Sequence, residues 1–400
     1  MALVNMSDML RHAHRNGYAV GGFDMVSLPF LDAILAAGER CRSPVILSLA
    51  ESHFEHFDFE TAMAAAERAA RRASIPVAIH LDHGGSLDMA TRAINLGCNG
   101  VMVDASEESF EANVARTQEV VAMAHGCGVP VEGELGYVAG AEGDDAEKHP
   151  GAVRYTAPEE AREYVERTGV DCLAVSIGTV HGRMRGQPQL DFDRLAAINN
   201  TLGLPLVLHG GTGLSDESFH RLIRNGIAKI NYYTAVNDVA GRRIRANAEN
   251  TPDGGYTAMM HGVRGAMADE VARCMECWGS AGRAEGVLAE SRPWHPVEHV
   301  ILYNVSGVDD ARVEAMMARG RQVLAGLPGV RRVFTGRAVK DGAQYRFSWL
   351  IEFASEAVIE TYKAHPEHVA FANEHFRPVA GDRISIDFAG IGDDVAEARR

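Results

Sequence analysis

The sequence has no apolar run approaching the ~18–20 residues a helix needs to cross a bilayer, which excludes an ordinary membrane-spanning helix. Its start, "MALVNMSDMLRHAHRNGY", lacks the basic, apolar and small-residue stretches of a secretion signal. Basic residues are outnumbered, 39 against 54 acidic, for a net charge of −15. That balance argues against nucleic acid or an anionic membrane as partner. It leaves room for a phosphorylated small molecule, because one local pocket can bind an anion whatever the global charge. Cysteine is scarce, and Cys41, Cys98, Cys127, Cys172, Cys274 and Cys277 are too scattered for a disulfide framework. Cys274 and Cys277 form a lone CxxC inside a predicted helix, and their reading is structural. The expectation is a cytoplasmic protein with no membrane and no nucleic-acid partner. With 46% apolar, 7% aromatic and 23% charged residues, the composition is that of a globular chain able to bury a full core.

What the sequence does contain is alternation. Apolar runs rich in β-branched residues recur: "YAVGGF" (18–23), "PVILSLA" (44–50), "PVAIHLD" (76–82), "GVMVDA" (100–105), "PVEGELG" (130–136), "CLAVSIG" (172–178), "PLVLHGG" (205–211) and "AKINYY" (228–233). Helical patterns such as "FETAMAAAERAARRA" and "EANVARTQEVVAMAHG" separate them. Strands alternating with helices imply a parallel sheet, and eight such units imply closure into a (β/α)8 TIM barrel. Pro44, Pro76, Pro130 and Pro205 stand where strands begin, a place where a missing N–H is tolerated. Gly97, Gly126, Gly169, Gly203 and Gly226 stand where helices end and a left-handed cap is favoured. Periodicity then fades across 278–298, and residues 285–296 are expected to be a linker. Beyond it the order strand, helix, two strands, helix, strand over 297–400 is ferredoxin-like α+β.

Catalytic groups of such barrels sit at the C-terminal ends of the strands. Polar residues gather there: Asp24, Glu51, Asp82, His83, Asp104, Glu134, His209, Asn231 and Thr234, with His181 just past the sixth strand. His83, His181 and His209 come from the third, sixth and seventh strands, and three imidazoles are a recurrent first shell for catalytic zinc. In "HLDHGG" (80–85) the glycines end the strand, so Asp82 and His83 can both reach the barrel top, with His80 a step deeper as buried support. "GTVHG" (178–182), "HGGTG" (209–213) and "NYYT" (231–234) offer small residues, backbone N–H groups and a hydroxyl for an anion. The loop 136–156, long and rich in glycine and acids, is expected to be a mobile lid that carries Glu142 into the site as a base.

"HLDHG", "EGELG", "GTVHG", "HGGTG" and the "N-x-x-T" tail, in this order between about residues 3 and 285, resemble the class II, zinc-dependent ketose-bisphosphate aldolases, which include the fructose- and tagatose-bisphosphate enzymes. The resemblance implies a metal-dependent aldehyde-lyase of carbohydrate metabolism. It would reversibly cleave a phosphorylated ketose to dihydroxyacetone phosphate and an aldehyde through a zinc-stabilised enediolate. His83, His181 and His209 would ligate the zinc, and Asp104 and Glu134 would hold a second or displaced metal. Asp82 would be the acid–base group at the oxygen of the cleaved bond, and Glu142 would move the proton at carbon. Gly182, Gly210, Gly211, Thr212, Asn231 and Thr234 would hold the dihydroxyacetone phosphate end, with a monovalent cation (Na+ or K+) nearby.

Two positions depart from the family pattern. "GGFDM" has Asp24 where asparagine is usual, and Ala50-Glu51 stands where serine or threonine is usual. Both face the aldehyde half in the family, so an unusual and unphosphorylated aldehyde is expected. The competing readings are an isomerase or epimerase on the same metal–enediolate platform, and a non-catalytic aldolase-like assembly subunit. Residues 297–392, through "HVILYNV", "LPGV", "WLIEFAS", "YKAHPEH" and "ISIDF", resemble the stress-responsive dimeric α/β-barrel (Dabb) domain. That resemblance implies sheet-to-sheet pairing and a homo-oligomer, dimer or tetramer. His299, His365 and His368 read there as structural or helix-capping.

Overall fold

The computed structural model describes residues 2–146, 154–183 and 189–390. The chain divides into two compact units, one around a closed barrel and one around a four-stranded sheet. In chain order the strands of the first unit are β1 (Val20–Asp24), β2 (Val45–Ala50), β3 (Val77–Gly84), β4 (Gly100–Val103) and β5 (Val131–Leu135). They continue with β6 (Gly140–Asp145), β7 (Cys172–Val175), β8 (His181–Arg183), β9 (Leu206–Leu208) and β10 (Ile227–Asn231). Eight of them close in the order β1-β10-β9-β7-β5-β4-β3-β2, and every barrel pairing is parallel. All eight runs anticipated from the sequence are these strands, and they are mostly apolar because both faces are covered, with a few buried polar groups among them.

The remaining pair, β6 with β8, forms its own two-stranded parallel ribbon beyond the barrel. The loop expected to lack structure over 136–156 therefore contains a strand. Its ladder to the segment carrying His181 supplies the backbone hydrogen bonds that a free loop would leave to water.

Helix Met6–Asn16, which the strand count overlooks, plugs one end of the barrel. Asn5 caps it through the N–H of Asp8, and Gly17 ends it in a left-handed turn. Its Met6, Met9, Leu10 and Ala13 pack with the inward-facing Val20, Ile46, Ala78, Cys172, Ala174, Val207 and Ala228. Each of the larger side chains gains about 1.5–3 kcal/mol from full burial, so this plug stabilises the end of the barrel opposite the chemistry. The expected linker is only partly one. Helix Ala284–Glu290 packs near the plug, with Glu290 paired to Arg15 at 2.8 Å and Arg292 to Asp8 at 2.7 Å.

The second unit has strands β11 (Val297–Val305), β12 (Val330–Arg337), β13 (Phe347–Phe353) and β14 (Ala380–Ala389) in the order β12-β13-β11-β14, all antiparallel. Helices Asp310–Leu324 and Val358–Ala364 follow β11 and β13, which is the ferredoxin-like order read from the sequence. One sheet face buries Tyr303, Phe347, Trp349, Ile351 and Phe353. The alternate residues lie on the other face, where Phe334, Ile384, Ile386 and Phe388 are 40–50% exposed. His299 holds Asp387 at 2.5 Å, and His365 accepts from the N–H of Glu367 as a helix cap, which matches the structural reading of both.

Candidate metal and catalytic site

Three imidazoles converge at the C-terminal mouth of the barrel. His83 lies near the end of β3, His181 opens β8, and His209 follows β9 directly. His209 Nδ1 is 3.0 Å from His83 Nε2 and 3.4 Å from His181 Nε2, and the three rings stand near-perpendicular to one another. Nitrogens bound tetrahedrally at a Zn–N length of about 2.0–2.1 Å lie roughly 3.3 Å apart, so the spacing suits one shared ion. Each ring is held from behind. His83 Nδ1 meets Asp104 at 2.7 Å, His181 Nδ1 meets the Val138 carbonyl at 3.1 Å, and His209 Nε2 meets Glu132 at 3.1 Å. An acceptor on the outer nitrogen of every ring leaves the inner nitrogen as a lone pair, the arrangement a metal requires.

The way adjacent Asp82 and His83 enter one site differs from expectation. The strand does not stop at the glycines but runs through Gly84, and His83 itself adopts a left-handed backbone, φ 46°. The β3–β4 register shifts between Leu81 and Gly84. This bulge turns His83 inward beside Asp82, and a non-glycine residue held at positive φ stores backbone strain.

Asp82 is fully buried and accepts from Asn231 Nδ2, which lies 2.9 and 2.8 Å from its two oxygens. Burial opposes its charge, but His83, Lys229, His209 and His80 together hold its carboxyl well below the usual carboxylate range. Burial, with His83 and His209 adding to it, pushes His181 down to about 3 and keeps it neutral. Glu134, also buried, stands 3.9 Å from His209 Nδ1 and groups with His83 and Asp104 as a second ligand set. Burial, then the charge of Asp104, pushes its carboxyl well up.

Around the same mouth, Gly210 has φ 71°, and a Cβ there would lie 2.2 Å from the Val180 carbonyl. Only glycine lets the His209 loop lie against the backbone beside His181. Gly182 (φ 83°) is in β8, Gly211 and Thr212 follow Gly210, and Ser215 caps helix Asp216–Arg224. Thr234 opens helix Thr234–Asn250 and accepts from the N–H of Gly143 on β6 at 3.0 Å. Asn231, at the end of β10, is engaged through Nδ2 with Asp82, and its buried Oδ1 has no partner among the described residues. Glu142 is on β6, but its side chain lies outside the described residues. Asp24 is buried at the end of β1, and Glu51 accepts from the Gly85 N–H at 2.8 Å.

Sequence reasoning missed Glu132 and Lys229. Both are fully buried, and Lys229 Nζ lies 2.6 Å from Glu132. A charged residue in the middle of each apolar run, "PVEGELG" and "AKINYY", was the available signal.

Comparison with known proteins agrees with this geometry. Residues 4–283 match the family described as class-II fructose-bisphosphate aldolase, and residues 297–389 match the stress-responsive A/B barrel domain. A probable fructose-bisphosphate aldolase of Bacillus subtilis is 44% identical over 63% of this chain and 89% of its own. The fructose-bisphosphate aldolase of Geobacillus stearothermophilus is 41% identical over 71% of this chain and 99% of its own. Among solved structures, the YdjI aldolase of Escherichia coli K12 is 33% identical, covering 70% of this chain and 99% of its own, with a TM-score of 0.63.

Proposed function

From the premise that this chain belongs to the class II fructose-bisphosphate aldolase family, a metal-dependent lyase family, we propose that it reversibly cleaves a phosphorylated ketose to dihydroxyacetone phosphate and an aldehyde. The observation that carries this reading is the convergence of three back-supported imidazoles beside an ionised, buried Asp82. His83, His181 and His209 would hold zinc, which when bound supplies the positive charge that stabilises a carbanion next to a carbonyl. Asp104 and Glu134 would serve a second or displaced ion, and a monovalent cation would sit by the anion pocket.

The chain's own residues do the rest. Asp82 takes the hydroxyl proton as the carbon–carbon bond breaks, the role a positioned carboxylate serves. Asn231 aims that carboxylate and offers Oδ1 to a substrate hydroxyl. Glu142 exchanges the proton at carbon. Gly182, Gly210, Gly211, Thr212 and Thr234 present N–H groups and hydroxyls to the phosphate, and the β6 strand is released from Thr234 as the phosphate arrives.

The other end of the substrate points over β1–β4, opposite the anion pocket. The segments 24–27, 51–58, 82–86 and 104–109 there carry Asp24, Glu51, Glu55, Asp58, Asp82, Asp104, Glu107 and Glu108 and no lysine or arginine. Two arginines reach that rim from outside these segments: Arg116 is paired with Glu108 at 2.5 Å, and Arg154 donates to the Ser106 carbonyl. Such a wall suits a neutral hydroxyaldehyde contacting Asp24 and Glu51 better than an aldehyde phosphate. The decisive experiment supplies zinc-loaded protein with ketose 1-phosphates and ketose bisphosphates and follows triose phosphate and free aldehyde. Bisphosphate preference sinks the neutral-aldehyde reading, and turnover without free aldehyde favours isomerase chemistry.

Residues 1–284 would form the catalytic domain and 297–400 an assembly domain, with 285–296 between them. The uncovered face of the second sheet, where Phe388, Ile386 and Ile384 lie beside Val300 and Leu302, would pair two chains into a homo-oligomer. No helix among the described residues is long and apolar enough to cross a membrane, and a cytoplasmic site of action fits the metabolic family.

A further inference from the structure

We propose that Glu132 and Lys229 are positioning residues that decide which nitrogen of His209 faces the metal. The inference rests on the three-imidazole reading above. The backing of the three histidines is unequal. His83 is backed by Asp104, which is partly open to solvent, and His181 by a neutral backbone carbonyl. Only His209 is backed by a carboxylate that is itself locked in an ion pair with no solvent contact. The pair crosses the barrel interior, with Glu132 on β5, Lys229 on β10 and two strands, β7 and β9, between them.

The two oxygens of Glu132 face different partners, and the Cys172 thiol adds a weak contact to Oε2 at 3.8 Å. Oε2 accepts from Lys229 Nζ at 2.6 Å, and Oε1 faces His209 Nε2 at 3.1 Å. A carboxylate accepts only, so His209 must carry its proton on Nε2 and present Nδ1 as a lone pair to the metal position. The ammonium of Lys229, equally buried and 2.6 Å away, offsets the cost of burying the carboxylate charge. His80 makes no hydrogen bond among the described residues and stands 3.6 Å from Glu132 Oε2, too far to displace Lys229.

This arrangement makes an unusual prediction for Glu132→Gln, which keeps shape and removes charge. The ammonium of Lys229 claims the single amide oxygen, so the amide NH2 turns towards His209 Nε2. That group needs a lone pair there, which drives the ring proton onto Nδ1, facing the metal. Zinc affinity, measured against a competing chelator, should fall about 10–100-fold, the range typical of lost support behind a ligand. The visible spectrum of the cobalt(II) form should lose the wild-type band pattern. The 15N shifts of His209 in the metal-free protein should report a change from the Nε2–H to the Nδ1–H tautomer.

Adding Lys229→Met frees the amide to rotate and offer its oxygen, so Glu132→Gln/Lys229→Met should bind zinc within about tenfold of wild type and regain the Nε2–H tautomer. An ion pair that merely holds the barrel together predicts lower melting temperatures, additive losses and no tautomer change. Folded Glu132→Gln with wild-type affinity and tautomer overturns the proposal. If that variant does not fold, a double variant showing the Nδ1–H form overturns it equally. Failure of the wild-type protein to bind zinc, or undiminished binding by His83→Ala, removes the underlying three-imidazole reading instead.

Discussion

Asn231 Nδ2 donates to the Asp82 carboxylate and lies 2.9 and 2.8 Å from its two oxygens, with both residues buried. The amide fixes the aspartate in orientation, while His83, Lys229, His209 and His80 hold it charged. A carboxylate so held can take a proton from a substrate hydroxyl without rotating first. Asp82→Asn should therefore cut kcat by about 10²–10⁴-fold while leaving zinc stoichiometry intact. Asn231→Ala should weaken turnover less, because the acid survives and only its aim is lost. Steady-state kinetics alongside metal analysis checks both, and loss of zinc in Asp82→Asn would recast the residue as a ligand.

Removing a ligand acts differently from removing the base. His83→Ala removes the residue shared by both ligand sets, whereas His181→Ala leaves His83, Asp104 and Glu134. His83→Ala should purify with far less than one zinc per chain and regain none on dialysis against zinc, and His181→Ala should also purify with less than one and regain it only in part. The wild-type protein treated with a chelator should lose activity and recover it on zinc addition. Metal analysis and reactivation assays separate these outcomes, and full zinc content in His181→Ala would remove that residue from the shell.

Most of the barrel was legible because its strands are buried on both faces and so read as apolar runs punctuated by proline and glycine. The three converging histidines were legible for a related reason: strand ends of a closed barrel share one rim, so distant residues meet there. Helix Met6–Asn16 escaped notice because its apolar positions serve the end of a barrel and not a sheet face. Lys229 and Glu132 escaped because the ion pair that lets them be buried joins residues 97 positions apart. Left-handed His83 was hidden too, since two following glycines suggested that they supplied the turn.

Gly210 offers a test of how backbone approach builds the metal site. A methyl group there would lie 2.2 Å from the carbonyl of Val180, and the residue has φ 71°. Gly210→Ala should push the His209 loop away from the His181 segment and reduce zinc affinity about tenfold or more, a conservative expectation for a shifted ligand. Stability should fall by about 1–3 kcal/mol from backbone strain. Gly203→Ala is the control: it has a similar φ of 63° but nothing within 4 Å of its Cβ, and it lies far along a helix end. Comparable metal loss in both variants would show that general strain, and not the loop contact, is responsible.

The three buried histidines His53, His80 and His181 outnumber the raised Glu134 carboxyl, which acts in the opposite direction above about pH 4.5, in setting the pH response of the metal-free protein. Burial is the chief reason that His80 and His181 fall to about 3 and His53 to about 4. Unfolded, each takes a proton near pH 6.5, so between that value and its folded pKa the unfolded chain binds more protons than the native one. Stability must then rise with pH across this window and level off above about 6.5 for these groups. Asp82 adds a loss in the same direction only below about pH 4, where its unfolded carboxyl protonates. The urea midpoint of the metal-free protein should accordingly drop steeply from pH 6.5 to 4, and His80→Asn should flatten that slope because it removes one of the suppressed protonations. A midpoint independent of pH over this range would mean that these imidazoles are already protonated, and therefore hydrated, in the native barrel.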